Sequence, residues 1–279
     1  MRYGQLVIGP AGSGKSTYCS MLSKHGADMR RTIEVVNLDP AAEYFDYEPL
    51  ADIRSLIEVS DAMEDSDLQF GPNGGLIFCM EYLLENNSWF EEALGDVEDD
   101  YIIFDCPGQI ELYTHMNTMR DLVEILQNRL NFRLCAVFIL DSQFMVDVPK
   151  FLSGTMAALS VMVNLELPHV NVLSKMDLLS KTVRAELDKF IEPQPDLLLE
   201  EVENSPASRW GEKYRNLTSA ISQLIEDYSL VRFVPLDRRS DDSLPDLLLT
   251  IDNILQYGED ADVKTHDFEY PDDEDESKS

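Results

Sequence analysis

The sequence is poor in basic residues and in long apolar runs, and each shortage excludes a class of protein. Only 22 of its 279 residues are Lys or Arg, against 53 Asp and Glu, so the formal net charge is −31. A surface of that sign repels nucleic acid phosphates and anionic lipid, so we expect no direct contact with nucleic acid or membranes. The longest purely apolar run, 134–140, is far shorter than the roughly 20 residues that span a bilayer.

Cysteine is also scarce. The chain has four, at positions 19, 79, 106 and 135, with no Cys-x-x-Cys pair and no cluster of histidines. This distribution argues against a structural zinc site and is typical of proteins in a reducing compartment. Arg2 is followed directly by residues typical of a strand, so we expect no signal peptide. These features predict a cytoplasmic protein.

Apolar runs of strand length recur along the whole chain. They lie at 5–8, 33–38, 101–104, 134–140, 170–173 and 231–234. Helical stretches separate most of them, and apolar residues at helical spacing predict two later helices at 214–228 and 248–255. The alternation predicts an α/β fold with a mostly parallel central sheet and helices on both faces. Ligands bind such sheets beyond the carboxyl ends of the strands, so we seek the chemistry there.

The length and the composition also suggest a domain organisation. A chain of 279 residues can form one core of this type, and we predict a single domain over 1–258. An acidic, proline-containing insertion is expected around 192–208. Asp and Glu dominate 259–279, which predicts a disordered acidic tail. Such a tail can bind a basic partner or only solvate the protein, and the sequence leaves both open.

A complete phosphate-binding loop follows the first strand. The segment 9–16 reads Gly-Pro-Ala-Gly-Ser-Gly-Lys-Ser and fits G-x-x-x-x-G-K-[ST], which predicts the fold of a P-loop NTPase. Its glycines let backbone N–H groups turn toward phosphate oxygens. Lys15 adds a charge for the β- and γ-phosphates, and Ser16 can hold Mg²⁺ directly. We expect the nucleotide to be bound here by Gly12, Ser13, Gly14, Lys15, Ser16 and Thr17.

Carboxylates stand at the ends of the next two strands. Asp39 can hold a water of the Mg²⁺ shell or orient an attacking water, although Asp before Pro is also a common helix N-cap. Asp105 is followed by Gly108 in the D-x-x-G arrangement of GTP-hydrolysing proteins, although D-x-P-G is also a plausible turn. Gln109 then stands where an attacking water would be oriented.

The fifth strand ends in a motif that selects the base, formed by Ser174, Lys175, Met176 and Asp177. The Asp177 carboxylate can accept hydrogen bonds from guanine N1–H and the exocyclic amine, while the Lys175 stem packs along the ring. Adenine offers no such pair of donors and would be rejected by roughly 10⁴-fold or more. The common motif has Asn or Thr in place of Ser174, and a lone S-K-x-D is often a helix cap. The residues at 234–237 are expected to wall the base.

Together with Gly71, Pro72 and Asn73, these motifs resemble those of the GPN-loop GTPases. Taken alone, the stretch 68–75 that holds these three residues is typical of a surface turn. The resemblance extends over nearly the whole chain, through 37–41, 105–112 and 174–177. The segments 141–144, 228–233 and 256–259 look closest to the third eukaryotic paralogue of the family.

The resemblance implies a dimeric GTPase whose GPN loops reach toward the nucleotide across the subunit interface. Asn73 would stabilise phosphate in the partner's site, in place of an arginine finger. Gln109 and Glu111 match the residues associated with the attacking water. Asp39 and Asp105 match the acidic positions of the Mg²⁺ shell, which act through water.

The resemblance also implies partners and a location. The eukaryotic members are linked to assembly and nuclear import of RNA polymerase II, which adds shuttling to the nucleus to the expected cytoplasmic location. The third paralogue resembles a heterodimer partner of the first, so the expected partner is another GPN-loop GTPase, either the first paralogue or a second copy. The expected ligands are GTP, GDP and Mg²⁺, and the expected polymerase contacts are protein to protein.

Two functions remain open at this point. The leading one is a Mg²⁺-dependent GTPase that works as a dimerising switch. The second is a nucleotide-stabilised assembly chaperone or scaffold subunit whose own hydrolysis is incidental. A small-molecule kinase would share the phosphate loop but would have no reason to keep the base-selecting motif at 174–177.

Overall fold

The chain forms a seven-stranded parallel sheet with helices on both faces. The computed structural model describes residues 1–64, 70–95, 101–145, 148–180, 182–184, 216, 219–220, 223 and 231–259. The predicted insertion at 192–208 lies outside these residues, as do nearly all of the predicted helix at 214–228 and the tail beyond residue 259.

All strands of the sheet run parallel, in the order β3-β2-β4-β1-β5-β6-β7. They are β1 (Arg2–Ile8), β2 (Glu34–Asn37), β3 (Ala51–Asp52), β4 (Tyr101–Asp105), β5 (Phe132–Asp141), β6 (His169–Ser174) and β7 (Phe233–Pro235). Because the strands are parallel, their carboxyl ends share one edge, and the predicted site residues follow β1, β2, β4 and β6 there.

Among the described residues the helices are α1 (Lys15–Asp28), α2 (Val59–Glu64), α3 (Pro72–Glu85), α4 (Ser88–Leu94), α5 (Glu111–Thr114), α6 (Thr118–Asn128), α7 (Val148–Leu165) and α8 (Ser243–Leu255). Short 3₁₀ turns occur at Ile53–Ser55, Ser142–Met145 and Met176–Leu178. The predicted helix at 248–255 is the second half of α8. None of these helices is both long and apolar enough to cross a membrane.

The sheet is buried on both faces, which explains why its strands read as continuous apolar runs. Along β1, Leu6 and Ile8 contribute to one core cluster, while Tyr3 and Val7 contribute to the other. The first cluster packs against α2 to α7, and the second packs against α1 and α8. The four cysteines are buried and free, and they fill these cores.

The predicted strands correspond to the observed ones apart from their ends and one omission. The sixth predicted strand, 231–234, is shifted toward the carboxyl end as β7. The sequence did not indicate β3, because a strand of only two residues carries no periodic pattern. β3 forms because Val36 and Asn37 of β2 supply an open edge for it.

The stretch 68–75 is not a turn throughout. Gly71 is the N-cap of α3 and Pro72 its first residue, a position where the missing N–H of proline costs nothing. Glycines in a helix cost about 1 kcal/mol each relative to alanine. Burial of one helix face offsets that cost, through Leu76, Cys79, Met80 and Leu83. Pro72 and Asn73 therefore lie in the first turn of a packed helix.

Candidate nucleotide-binding site

The phosphate loop lies between β1 and α1 and has the backbone shape that its glycines allow. Gly9, Gly12 and Gly14 have φ angles of 142°, 73° and 98°, which residues with a Cβ atom rarely adopt. A Cβ at Gly9 would also lie 2.2 Å from the carbonyl oxygen of Ile139 on β5. Gly14 is the N-cap of α1, so the positive end of that helix faces the loop. This geometry suits an anion.

Lys15 is buried, and its ammonium group folds over the loop. It donates hydrogen bonds of 3.2 Å to the carbonyl oxygens of Gly9 and Pro10. Burial lowers the pKa of Lys15, while the carboxylates of Asp105 and Asp39 raise it. The structure thus brings the predicted lysine and both predicted acids together at the carboxyl edge of the sheet.

The two carboxylate oxygens of Asp105 differ in their hydrogen bonds. Oδ2 accepts a hydrogen bond of 2.7 Å from the Tyr47 hydroxyl, whereas Oδ1 is buried without a partner in the described part of the chain. Burial raises the pKa of Asp105, and the Ser16 hydroxyl beside it lowers that pKa. An unsatisfied carboxylate oxygen next to a serine hydroxyl is an environment that Mg²⁺ favours. These residues therefore fit the predicted Mg²⁺ site.

The other acid, Asp39, is fixed by the turn that follows β2. Its Oδ1 accepts a hydrogen bond of 3.0 Å from the Ala41 backbone N–H, and its own N–H donates to Asn37 Oδ1 at 3.1 Å. Burial raises the pKa of Asp39, while the Ala41 N–H and the Lys15 charge lower it. Asp39 therefore caps a turn and presents a carboxylate near Lys15. Residues 40–50 form no helix, so Asp39 is not the helix N-cap that the sequence also allowed.

We expect Asp105→Asn to stabilise the ligand-free protein. Burial raises the pKa of Asp105 in the folded chain, so its ionised form costs folding free energy above the unfolded-state pKa. This cost begins to shrink as the pH falls through the folded-state pKa and is gone below the unfolded-state pKa. Asparagine has no charge to bury, so at neutral pH the variant should gain about 1 kcal/mol, or roughly 2–4 °C in melting temperature.

Thermal melts without nucleotide or Mg²⁺, from neutral to acidic pH, measure this effect. The gain should shrink toward acidic pH, because protonation of Asp105 in the wild type removes the charge that burial disfavours. Glu124→Gln, on the exposed side of α6 and in the middle of that helix, removes a charge of the same sign and should leave the melting temperature nearly unchanged. An Asp105→Asn variant that is less stable than the wild type at neutral pH would show that the charge stabilises the fold.

A cavity of about 600 Å³ opens over the phosphate loop, between the ends of β2 and β4 and the start of α3. Of the predicted site residues, it is lined by Gly12, Gly14, Lys15, Ser16, Thr17, Asp39, Pro72, Asn73, Gln109 and Lys175. Its volume is in the usual range for small-molecule sites. Asn73 thus lies beside the phosphate loop of its own chain, and its action across a dimer interface stays a prediction.

Seven predicted site residues lie outside the lining of this cavity: Ser13, Gly71, Asp105, Glu111, Ser174, Met176 and Asp177. Glu111 is exposed at the first position of α5, and Gly71 is exposed as the N-cap of α3. Ser13 is buried in the loop, with its hydroxyl unpaired in the described part of the chain. Gly108 allows Gln109 to approach the loop, because a Cβ at Gly108 would lie 2.8 Å from the Cα of Ala11.

A second, smaller pocket of about 180 Å³ adjoins the first at Gly14, Thr17 and Lys175. It lies at the carboxyl end of β6 and is lined by Asp177. The Asp177 carboxylate has no hydrogen-bonding partner among the described residues and is half-buried. It is therefore available to the base of a nucleotide whose phosphates lie in the larger cavity, as the sequence predicts.

Ser174 and Met176 support the base-selecting turn from inside. The Ser174 hydroxyl donates to the carbonyl oxygens of Ser13, at 2.5 Å, and Leu140, at 3.2 Å. It therefore joins the phosphate loop to β5 and β6. Met176 is buried in the core and lines neither pocket. Ser174, where the common motif has Asn or Thr, therefore provides a hydroxyl that links the phosphate loop to the sheet.

The expected wall of the base at 234–237 is only partly observed. Leu236 lines the small pocket, and Arg238, just beyond the predicted range, lies at its mouth. Asp237 does not line it, because its carboxylate pairs with Arg184 and accepts a hydrogen bond of 2.9 Å from the Arg239 N–H. The prediction is wrong for Asp237, whose bonds are made within its own turn and to a residue 53 positions earlier.

Sequence reasoning missed several residues that line or order the site. Tyr47, which binds Asp105, comes from a segment without any motif, so no pattern pointed to it. The apolar walls of the large cavity are Val59 and Leu76, and those of the small pocket include Met21 and Leu178. For Met21 and Leu76, the only signal in the sequence was their position on α1 and α3, the helices that begin in the phosphate loop and at Pro72.

The fold and the site define a P-loop NTPase: a parallel sheet carries the phosphate loop after β1 and acidic side chains at the ends of two neighbouring strands. A solved structure supports this fold. A GTPase in apo form from Pyrococcus abyssi is similar with a TM-score of 0.75 over 91% of this chain and 97% of that chain, at 23% sequence identity.

The sequence comparisons are more specific. A family profile described as "Conserved hypothetical ATP binding protein" matches residues 7–257. Proteins called GPN-loop GTPase 3 are similar over 94% of this chain, with 57% identity in Danio rerio, 56% in Xenopus tropicalis and 49% in Dictyostelium discoideum. The match covers 91%, 91% and 90% of those relatives. The chain belongs to the GPN-loop GTPase family.

Proposed function

We propose that this chain binds GTP with Mg²⁺ and hydrolyses it, as one subunit of a dimeric switch. The observation that carries the proposal is the Asp177 carboxylate, which has no partner in the described part of the chain and lines a pocket that adjoins the phosphate-loop cavity. Adenine would leave that carboxylate unpaired. This favours guanine over the adenine nucleotide that the family description suggests, in agreement with the names of the relatives.

Each group at the cavity has a defined task in this proposal. Lys15 exchanges its two bonds to loop carbonyls for bonds to phosphate oxygens, and the loop N–H groups bind the same anion. Gln109, at the lining of the cavity, orients the attacking water. Ser16 would hold Mg²⁺ directly, and Asp39 and Asp105 would hold it through water; the bound ion would supply positive charge to the phosphate oxygens.

The dimer, the partners and the location come from the family resemblance. The partner is the first GPN-loop paralogue or a second copy of this chain, and the dimer assists assembly and nuclear import of RNA polymerase II. With a net charge of −31, the chain meets polymerase subunits through protein contacts. It works in the cytoplasm and shuttles to the nucleus. Loss of the protein should then leave polymerase subunits in the cytoplasm, which imaging of tagged subunits can measure.

GTP turnover by the purified chain, measured per chain against its own concentration with ATP as the control, tests the activity. A GTP-selective rate that rises with concentration is expected if two copies build the site. Turnover in this class of enzyme is slow, on the order of 10⁻⁴ to 10⁻² s⁻¹ without a partner, so long incubations are needed. Binding of ATP as tight as that of GTP would contradict the proposal.

Mixing two inactive variants tests whether Asn73 acts across the interface. Asn73→Ala keeps Gln109, and Gln109→Ala keeps Asn73. If Asn73 acts on the partner's site, a mixed dimer contains one site with its own Gln109 and the partner's Asn73. We then expect the mixture to recover up to about a quarter of wild-type turnover per chain, because about half of random dimers are mixed. If wild-type turnover rises with concentration, so that two copies pair, no recovery would show that Asn73 serves the cavity of its own chain.

A further inference from the structure

The end of β5 carries a pair of residues, Asp141 and Ser142, that the proposed function does not use. In the parallel register of β5 and β6, Asp141 lies opposite Ser174, the first residue of the base-selecting motif. The two residues therefore stand directly beside the turn 174–177 that brings Asp177 to the base pocket. Both make bonds to the same residue of that turn, Lys175.

Lys175 has a backbone conformation that needs support. Its φ and ψ angles of 58° and 30° place it in the left-handed region, which residues with a Cβ atom adopt at a cost. This conformation reverses the chain between β6 and the 3₁₀ turn Met176–Leu178, and Asp177 lies in that turn. If Lys175 relaxed to a common conformation, the carboxylate of Asp177 would leave its place in the pocket.

Asp141 binds the side chain of Lys175, and Ser142 binds its backbone. The Lys175 ammonium donates to Asp141 Oδ2 at 2.8 Å, and the Ser142 hydroxyl donates to the Lys175 carbonyl oxygen at 3.3 Å. The carboxylate is itself oriented, since its Oδ1 accepts a hydrogen bond of 2.9 Å from the Gln143 N–H. The Asp141 side chain is only 16% exposed, so water weakens the ion pair less than it would at the surface.

The ion pair also defines what Lys175 can do. Lys175 lines both the phosphate cavity and the base pocket, so a free ammonium there could attract phosphate. Its charge is instead neutralised by Asp141, and the apolar stem is left to pack along a base. The two lysines of the site therefore have different roles: Lys15 binds the phosphates, and the stem of Lys175 packs along the base.

We propose that Asp141 is the positioning residue for guanine selection: it holds Lys175 in its left-handed conformation and keeps the lysine charge away from the phosphates. The inference rests on the proposed guanine site and deepens it. It assigns base selectivity to a residue that lies outside the base-selecting motif. Asp141 touches Lys175 and not the base.

Titration calorimetry of Asp141→Asn with GDP, ADP and inorganic pyrophosphate tests the proposal. Asparagine keeps the volume and the acceptor for the Gln143 N–H but removes the charge. We expect the affinity for GDP to fall about tenfold, while the affinities for ADP and pyrophosphate do not fall and rise by up to about threefold, because the freed Lys175 ammonium can attract phosphate. Lys175→Met should give the same loss, and the double variant should lose no more than either single variant, because one pair is removed in each case.

The surface variant Asp121→Asn controls for the change in net charge and should bind all three ligands like the wild type. A merely structural role of Asp141 would lower the affinities for GDP, ADP and pyrophosphate together, and that result would overturn the proposal. Unchanged selectivity for GDP over ADP in Asp141→Asn would also overturn it. A wild-type protein without any preference for GDP would instead contradict the guanine site itself, and this inference with it.

Discussion

Replacing Asp177 by asparagine is expected to exchange guanine for xanthine as the preferred base. Guanine presents two donors, N1–H and the exocyclic amine, and both need the acceptor oxygens of a carboxylate. An asparagine side chain has one carbonyl oxygen and one NH₂ group. It would accept from N1–H of xanthine and donate to the xanthine 2-oxo group, but it would face the guanine amine with another donor.

The effect should be large because the pocket offers Asp177 no other partner in the described part of the chain. A donor facing a donor in a half-buried pocket leaves both unpaired, and sites built on such pairing discriminate strongly. We expect GTP affinity to fall on the order of 10³- to 10⁴-fold, with a comparable gain in preference for XTP. Competition between GTP and XTP for a fluorescent nucleotide measures both quantities in one experiment.

Asp237→Asn is the matched control, since it makes the same chemical change one strand away. Its carboxylate is committed to Arg184 and the Arg239 N–H, so the variant should lose stability and keep its preference for guanine. If Asp177→Asn bound GTP as tightly as the wild type, the base would lie elsewhere. A loss of preference in Asp237→Asn would restore the sequence prediction that this residue walls the base.

Motifs predicted the charged part of the site well, because each stands at the end of a strand. Once β2, β4 and β1 are parallel neighbours in the sheet, Lys15, Asp39 and Asp105 must meet at one edge. The sequence could not predict the contacts that complete the site. Tyr47 binds Asp105 across 58 positions, and no local pattern contains information about such a pairing.

The same distinction applies to the fold. Long apolar runs such as 134–140 of β5 were evident, since burial on both faces keeps that stretch free of polar residues. The sequence did not indicate the start of α3, because Gly, Pro and Asn are typical of turns. Only the packing of α3 on the core decides in favour of a helix. Local propensity was overridden by tertiary contacts there, at the residues that approach the phosphate loop.

We expect Gln109→Ala to cut GTP hydrolysis about 100-fold or more while leaving GTP affinity nearly unchanged. Groups that position a reacting water contribute on the order of 10²- to 10⁴-fold to a rate. Gln109 lines the cavity, and its loop is fixed independently of its side chain. The Tyr113 hydroxyl bonds to the Pro107 carbonyl, and Gly108 packs against Ala11. Truncation should therefore remove the amide without moving the loop.

Glu111→Ala is the informative companion, because the family resemblance gives Glu111 the same task while the structure places it elsewhere. Glu111 is exposed at the start of α5 and does not line the cavity. Single-turnover hydrolysis should then fall less than about tenfold in Glu111→Ala, against the larger loss in Gln109→Ala. Equal losses in the two variants would mean that α5 turns toward the nucleotide when GTP binds. An unchanged rate in Gln109→Ala would remove Gln109 from the reaction.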